Sequence, residues 1–252
     1  MDLVWPHLEQ VSDYGTPVLL QAAQLTDGER VLDVGCGGGN QTLALASAVA
    51  PQGSVVGIDI SQRMIALAQQ RVEQSTSSNV ALMVGDAQSE ELSGPFDVVV
   101  SQFGCMFFDT PESAYANLFA ALKPGGRIVC VVWQAAERMT WLPNHLLQPF
   151  LPDTEAPINP HALSEPAYVE QLFTKAGFVD LTVQPLEVEA EVNGNFIQDA
   201  FTLDMVPDEH KAAARELIAK HKEQFRIGKS YHIALPMQVL CARKTTASGS
   251  GG

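Results

Sequence analysis

The sequence predicts an α/β fold, an open and mostly parallel sheet with helices on both faces and its site beyond the carboxyl ends of the strands. Three observations predict it. The run Val31-Leu32-Asp33-Val34 breaks into Gly35-Cys36-Gly37-Gly38-Gly39, glycines that let a backbone approach a ligand closely. The run Ser54-Val55-Val56-Gly57-Ile58 stops at a carboxylate, Asp59. Further apolar runs at 80–84, 96–101 and 127–132 are separated by segments of helical character, the alternation of a sheet built from strand–helix–strand units.

The connecting elements follow in order. Residues 1–17 precede the core, and Gln41 to Val49 is the first crossover helix, closed by Pro51. Ser61 caps the second, in which Met64, Ala68 and Val72 fall four apart and form a stripe toward the sheet. Thr110-Pro111 opens a helix whose core face is Tyr115, Leu118, Phe119 and Leu122. Another, capped by Ser164, carries Val169, Leu172, Phe173 and Ala176 and stops at Gly177, suited to a left-handed C′ position. Phe178 to Pro185 is the sixth strand and Met237 to Arg243 the last. Outside the sheet fall 134–163, rich in Pro and Trp, and 194–234, where Ala214, Leu217, Ile218, His221 and Phe225 suggest an amphipathic helix. Both are expected to be acceptor-side excursions over the cleft, with 1–17 as an N-terminal cover or a helix packed on the sheet.

The glycine loop narrows the ligand. A dinucleotide fingerprint GxGxxG wants a third glycine where Asn40 stands, and it has no call for an acidic residue two positions before the first glycine, where Asp33 stands. Pyrophosphate favours a helix N-terminus and is repelled by a nearby carboxylate, whereas a ligand carrying an ammonium reverses the preference. S-adenosylmethionine, with ammonium and sulfonium both positive, fits. Asp59 is suited to accept both hydrogen bonds of a ribose diol, and Asp86, after the third strand, to accept from the adenine amino group.

The text VLDVGCGGGN, VVGIDIS, VGDAQ, FDVVVSQFGCMFF and LKPGGRIVCVVW, over residues 30 to 133, closely resembles the class I S-adenosylmethionine-dependent methyltransferases, in the small-molecule branch of quinone C-methyltransferases and natural-product methyltransferases. The resemblance implies a Rossmann-like, seven-stranded sheet whose last strand is antiparallel and inserts between strands five and six. It implies a cofactor site of Asp33, Gly35, Cys36, Gly37, Asp59, Ile60, Met64, Asp86, Ala87, Ser101 and Phe103, with Met64 against the adenine. One departure is visible: relatives often carry Ser-Arg-Phe-Gly where this chain has Ser101-Gln102-Phe103-Gly104, which bears on acceptor contacts at Gln102.

Composition agrees. The 252 residues, 46% hydrophobic, suffice for one methyltransferase domain over 1–246, with 247–252 a flexible, linker-like tail. A formal charge of −14 repels phosphate backbones and weighs against nucleic-acid partners. The four cysteines stand singly, without metal or redox spacing, as expected of reduced thiols in a cytoplasmic protein, and no run approaches a membrane span. No metal site is expected, since no His or carboxylate pair shows ligand spacing.

Methyl transfer is an in-line displacement that needs held geometry in a water-poor pocket and no fixed catalytic motif. Histidine is the natural base where a proton must leave. His145, in the segment after strand five, is the first candidate, with a packing role as its alternative; His161 and His232 rank second, His210 and His221 fall on a solvated helix, and His7 ranks last. Tyr14, Gln102, Trp141, His161 and His232 are the acceptor-side candidates, and the apolar Met106-Phe107-Phe108 suggests an aromatic or amphipathic acceptor. The alternatives are a cyclase that uses the sulfonium as a fixed charge and, further off, a nicotinamide oxidoreductase.

Overall fold

The computed structural model describes residues 5–142, 144–150, 161–193, 196 and 206–246. Its chain order is α1 (Trp5–Ala23), β1 (Arg30–Val34), α2 (Asn40–Ala48), β2 (Ser54–Asp59), α3 (Gln62–Gln74), β3 (Val80–Val84), β4 (Phe96–Gln102), α4 (Pro111–Ala121), β5 (Leu122–Trp133), α5 (Asn144–Leu147), α6 (Pro166–Ala176), β6 (Val179–Val192), α7 (Lys211–Lys222), β7 (Arg226–Ile227) and β8 (Ser230–Arg243). The sheet runs β3-β2-β1-β4-β5-β8-β6, with the two-residue β7 paired to β8 as an addition to the seven expected strands. Strands β1 to β5 are parallel, and β8 inserts antiparallel between β5 and β6, the arrangement the sequence implied. The central strands are apolar on both faces because helices cover both: Val31, Leu32, Val98, Val99, Val100 and Ile128 are all fully buried.

Order reverses at β1, where β2 leaves on one side and β4 on the other, and such a switch point opens a crevice at the carboxyl ends of the strands. The base of the molecule is tied by Arg127, whose guanidinium forms a two-pronged pair with Glu29 at 2.7 and 3.0 Å while its Nε donates to the Ala23 carbonyl. Burial pushes the Glu29 carboxyl up, but the bond and charge of Arg127 together hold it below its ordinary value.

Three expectations are corrected. Strands β6 and β8 are much longer than the expected 178–185 and 237–243, so residues 230–234 belong to the sheet and not to the second excursion. Past Pro185, the pairs continue from Leu186↔Met237 to Val192↔Tyr231. Pro185 does not end β6 because β6 is an edge strand, and Pro236 sits in β8 just past the last β5 pair, Trp133↔Met237; neither position needs its missing donor. Helix α6 starts after Glu165, and Ser164 closes a short 3-10 turn instead of capping it. The N-terminal segment is a helix that runs past the expected residue 17 to Ala23 and packs on the sheet: Val11, Gly15, Leu19 and Ala23 recur every four residues and are buried there, and residues 5–10 continue the helix. The expected tail, 247–252, lies outside the described residues, as do 151–160 of the first excursion.

Candidate active site

The glycine loop leaves β1 with positive φ at Gly35 (+71°), Gly37 (+53°) and Gly39 (+85°). At Gly35 a side chain is excluded twice over, because a Cβ would also stand 2.9 Å from the Gly104 Cα. Gly35 and Cys36 both donate their N–H to the Ile58 carbonyl, at 2.8 and 3.1 Å, which pins the loop over the end of β2. Arg71 donates to the Gly38 carbonyl at 2.9 Å from α3. The Cys36 side chain is buried, and burial together with Asp33 and Asp59 pushes its thiol far up, so the residue offers the site its backbone and an inert sulfur.

Asp59 is half-buried at the end of β2. Its Oδ2 accepts from the Gly37 N–H at 2.9 Å and its Oδ1 from the Ser61 N–H at 2.8 Å. Each oxygen keeps acceptor capacity, so the carboxylate is oriented and still able to receive a diol. Ile60 follows with its apolar side chain 73% exposed just past the end of β2. Met64 is buried beneath the loop, its Cε 3.5 Å from where a Gly37 Cβ would be. Asp86 is held by the Gln88 N–H at 2.9 Å and the Gln88 amide at 3.1 Å, with Ala87 buried beside it. Gln88 in turn receives the Thr110 N–H and hydroxyl. Phe103 adopts φ +58° and stacks on Trp133 at 4.1 Å and 12°, giving the ends of β4 and β5 a flat aromatic wall.

Four expected contacts are reassigned. Asp33 is wholly buried, and its two oxygens accept from Gln41 Nε2 at 2.6 Å and the Thr42 hydroxyl at 2.7 Å. Burial pushes its carboxyl up to about 6, against the lowering effect of those two bonds. It therefore acts behind the loop, fixing the first turn of α2 and placing negative charge under the glycines, without touching the cleft. Ser101 is also fully buried: its hydroxyl donates to the Val34 carbonyl at 2.8 Å and accepts from the Cys105 N–H at 2.9 Å, so it clamps β4 to the loop. Gln102 spends its amide on α1, donating to the Ser12 carbonyl at 2.7 Å and accepting from the Thr16 hydroxyl at 3.3 Å. Tyr14 turns its hydroxyl to the backbone of Glu191, donating to the carbonyl and accepting from the N–H, each at 3.0 Å, at the open edge of β6.

The remaining candidates divide. Trp141 is buried against Phe196 at 5.2 Å, sealed from solvent with its Nε1–H lacking a partner, a packing position and not an open acceptor contact. His232 sits on β8 between buried Tyr231 and Ile233, so strand alternation points it to the face opposite those core residues. His221, expected on a solvated face, is buried instead, with Nε2 donating to the Thr140 carbonyl at 3.0 Å. It lines a cavity of about 530 Å³ with Ala136, Glu137, Met139, Thr140, Leu142, Leu146 and Gln224, between the segment after β5 and α7. His161 is placed at the end of β5, its Nδ1 2.7 Å from the Gln134 carbonyl. His145 lies in α5, and its side chain, like that of His7, is outside the described residues. Gln41 and Thr42, which fix Asp33 behind the loop, and Gln88, which holds Asp86, are not singled out by the sequence; the one signal is a polar pair opening a helix soon after Asp33. Among the described residues no group of three His, Cys, Asp or Glu could hold a metal ion, and no helix is long and apolar enough to cross a membrane.

The fold and the site define an enzyme class that holds an adenosyl cofactor at the carboxyl edge of a parallel sheet. The chain belongs to the methyltransferase domain family, whose model matches residues 25–176. A demethylmenaquinone methyltransferase of Lactococcus lactis subsp. lactis (strain IL1403) is 35% identical over 107 residues, 41% of this chain and 42% of that protein. The aklanonic acid methyltransferase of Streptomyces sp. (strain C5) is 33% identical over 159 residues, 61% and 68% of the two chains. The match thus spans less than half the length of the first of these relatives and two thirds of the second. In fold, the chain is similar to Haemonchus contortus phosphoethanolamine N-methyltransferase 2 in complex with S-adenosyl-L-methionine, with a TM-score of 0.59, 20% identity, and coverage of 92% of this chain and 52% of that one. The cofactor of the family is S-adenosylmethionine. The residues present fit it: a glycine loop that a Cβ at Gly35 or Gly39 would crowd, a carboxylate at Asp59 oriented by Gly37 and Ser61, an exposed apolar side chain at Ile60, and a buried carboxylate at Asp33.

Proposed function

We propose that this chain, acting as one domain over 1–246, transfers the methyl group of S-adenosylmethionine to a small aromatic or amphipathic metabolite, without a metal and without a nucleic-acid partner, in the cytoplasm. The observation that carries the reading is Asp59, half-buried at the end of β2 and fixed by one N–H bond to each oxygen, from Gly37 and Ser61, which leaves acceptor capacity for a ribose diol. The names of the two relatives above, a demethylmenaquinone methyltransferase and an aklanonic acid methyltransferase, support the small-molecule class. So do the aromatic side chains at the ends of β4 and β5, half-buried Phe103 stacked on buried Trp133, which make these strand ends apolar.

The donor supplies a methyl group on a positively charged sulfur, a good leaving group. The protein's part is position and exclusion of water. Asp59 and Asp86 fix the adenosine end, the glycine loop admits the amino-acid end, and Asp33 adds an attractive field from behind. Holding two reactants in line is worth a large share of such a barrier, about 7–11 kcal/mol in well-oriented cases.

Incubation with S-adenosylmethionine and a panel of naphthoquinols and polyketide phenols, followed by mass spectrometry, tests the reading. A methylated product appearing together with S-adenosylhomocysteine supports it. Product formed at constant donor mass would favour a cyclase, and reduction of nicotinamide in place of either would favour an oxidoreductase.

A further inference from the structure

We propose that Gln88 is the positioning residue that sets which base the donor carries: it holds the Asp86 carboxylate in the one direction that accepts the amino group of adenine, and so selects adenine over a purine with a carbonyl at that place. This rests on the methyltransferase reading above.

Asp86 follows β3, and the Gly85 N–H donates to the Asp59 carbonyl at 3.0 Å, so the two acids stand at the ends of neighbouring strands, as ribose and base are neighbours in a nucleoside. Three hydrogen bonds hold the Asp86 carboxylate, each from Gln88. The Gln88 backbone N–H donates to Oδ1 at 2.9 Å, and its side-chain Nε2 donates to Oδ1 and to Oδ2, both at 3.1 Å. Oδ1 thus accepts twice and Oδ2 once, which makes Oδ2 the oxygen with room for an adenine amino group.

The Gln88 amide fits only one way round. Its Oε1 receives the Thr110 N–H at 2.7 Å and the Thr110 hydroxyl at 3.1 Å; a backbone N–H only donates, so the oxygen faces Thr110 and the NH2 faces Asp86. Thr110 precedes α4, where a threonine hydroxyl ordinarily caps the helix, and it makes no such bond. Its hydroxyl goes to Gln88 instead. Nor is this pair needed to staple the loop after β3 to α4, because Asn117 does so, donating Nδ2 to the carbonyls of Ala87 and Glu90, both at 2.9 Å. What Gln88 adds is the direction of one carboxylate.

An ionised carboxylate only accepts. Facing adenine it meets an amino donor; facing hypoxanthine, where a carbonyl oxygen replaces that amino group, it meets a second acceptor and is repelled. A carboxylate free to turn would swing to the adjacent ring N–H of hypoxanthine and recover the bond, and one held by three hydrogen bonds does not. Base selection therefore depends on Gln88 as much as on Asp86.

Calorimetry of the full chain with S-adenosylhomocysteine and S-inosylhomocysteine, its hypoxanthine analogue, tests this. The native protein should bind the adenine compound roughly 10-fold more tightly or better. Gln88→Met, which keeps the length and loses the polar atoms, should bring that ratio below about threefold, with circular dichroism and the melting curve reporting a retained fold. Gln88→Glu keeps an acceptor for Thr110, turns a like charge on Asp86, and should lose the preference as well. Asp86→Ala should remove the preference by itself, and Gln88→Met added to it should change the ratio no further, because Gln88 acts through Asp86. Equal binding of the two compounds by the native protein, or a folded Gln88 variant that keeps the native ratio even while binding both compounds more weakly, would overturn the proposal and leave the donor reading standing. No binding of S-adenosylhomocysteine by the native chain would remove the methyltransferase reading beneath it.

Discussion

The backbone N–H of Gly37 donates to Oδ2 of Asp59 at 2.9 Å, and this bond joins the glycine loop after β1 to the acid that ends β2. Cofactor cradle and ribose acid are thus one mechanical unit. Asp59→Ala removes both the loop's anchor and the diol acceptor, and is expected to weaken S-adenosylmethionine binding by about 1–3 kcal/mol, with Asp59→Asn losing less because one oxygen remains. Titration calorimetry of the two variants checks the order.

Gly35→Ala should abolish donor binding while the sheet persists. The position combines φ +71° with a Cβ approach of 2.9 Å to the Gly104 backbone, and neither strain is relieved by a rotamer change. Circular dichroism would report the retained fold; tight donor binding by this variant would mean that the loop yields more easily than its packing implies.

Asp33 links stability to pH in the less usual direction. Its carboxyl is raised from 3.8 in the unfolded chain to about 6 in the folded one, so between those values only the native state holds the proton, and the contribution is full below about pH 4 and lost as pH rises through 6. The amount is on the order of 3 kcal/mol for about two pH units. Denaturant unfolding of the native chain and of Asp33→Asn at pH 5 and pH 7 should give a variant whose stability, relative to the native chain, improves at the higher pH. A difference independent of pH would contradict the raised value.

Gln102→Ala frees α1 from β4. Two hydrogen bonds from one amide to Ser12 and Thr16 disappear, and the loss should be about 1–2 kcal/mol, felt as faster hydrogen exchange at residues 11–16. Unchanged protection there would show that Tyr14 on Glu191 and the Val11–Ala23 stripe hold the helix without the glutamine.

Chelation should leave methyl transfer unaffected, because the proposed chemistry places no charge that a metal must neutralise. Activity lost in EDTA and restored by magnesium would refute this.

Much of the fold was legible because the signals were local. A strand that ends in Asp59 or in a glycine loop carries its own boundary, and β1 to β5 fell where those boundaries placed them. The long β6 and β8 were not, since Pro185 and Pro236 look like breaks until it is known that one lies on an edge and the other beyond the end of β5. In the site, residue type and spacing pointed to Asp59 and the glycines, and the resemblance pointed to Ile60; these lie at the ends of β1 and β2 with exposed or half-buried side chains at Asp59 and Ile60. Neither could tell Asp33 and Ser101 from cleft residues, because the partners that absorb their polar atoms, Gln41, Thr42 and the Val34 carbonyl, depend on side-chain direction. Gln102 was placed on the acceptor side by its position in the family pattern and Tyr14 by its hydroxyl, when the groups they satisfy belong to α1 and β6 across more than 80 residues of sequence.

The central claim is that the crevice at the ends of β1 and β2 is built for a cationic adenosyl donor. Calorimetric titration of the purified chain with S-adenosylmethionine, alongside NADH as the diphosphate comparison, tests it most directly. Saturable heat with the first, reduced in Asp59→Ala, and none with the second is the expected result; binding of NADH with no response to S-adenosylmethionine would contradict it.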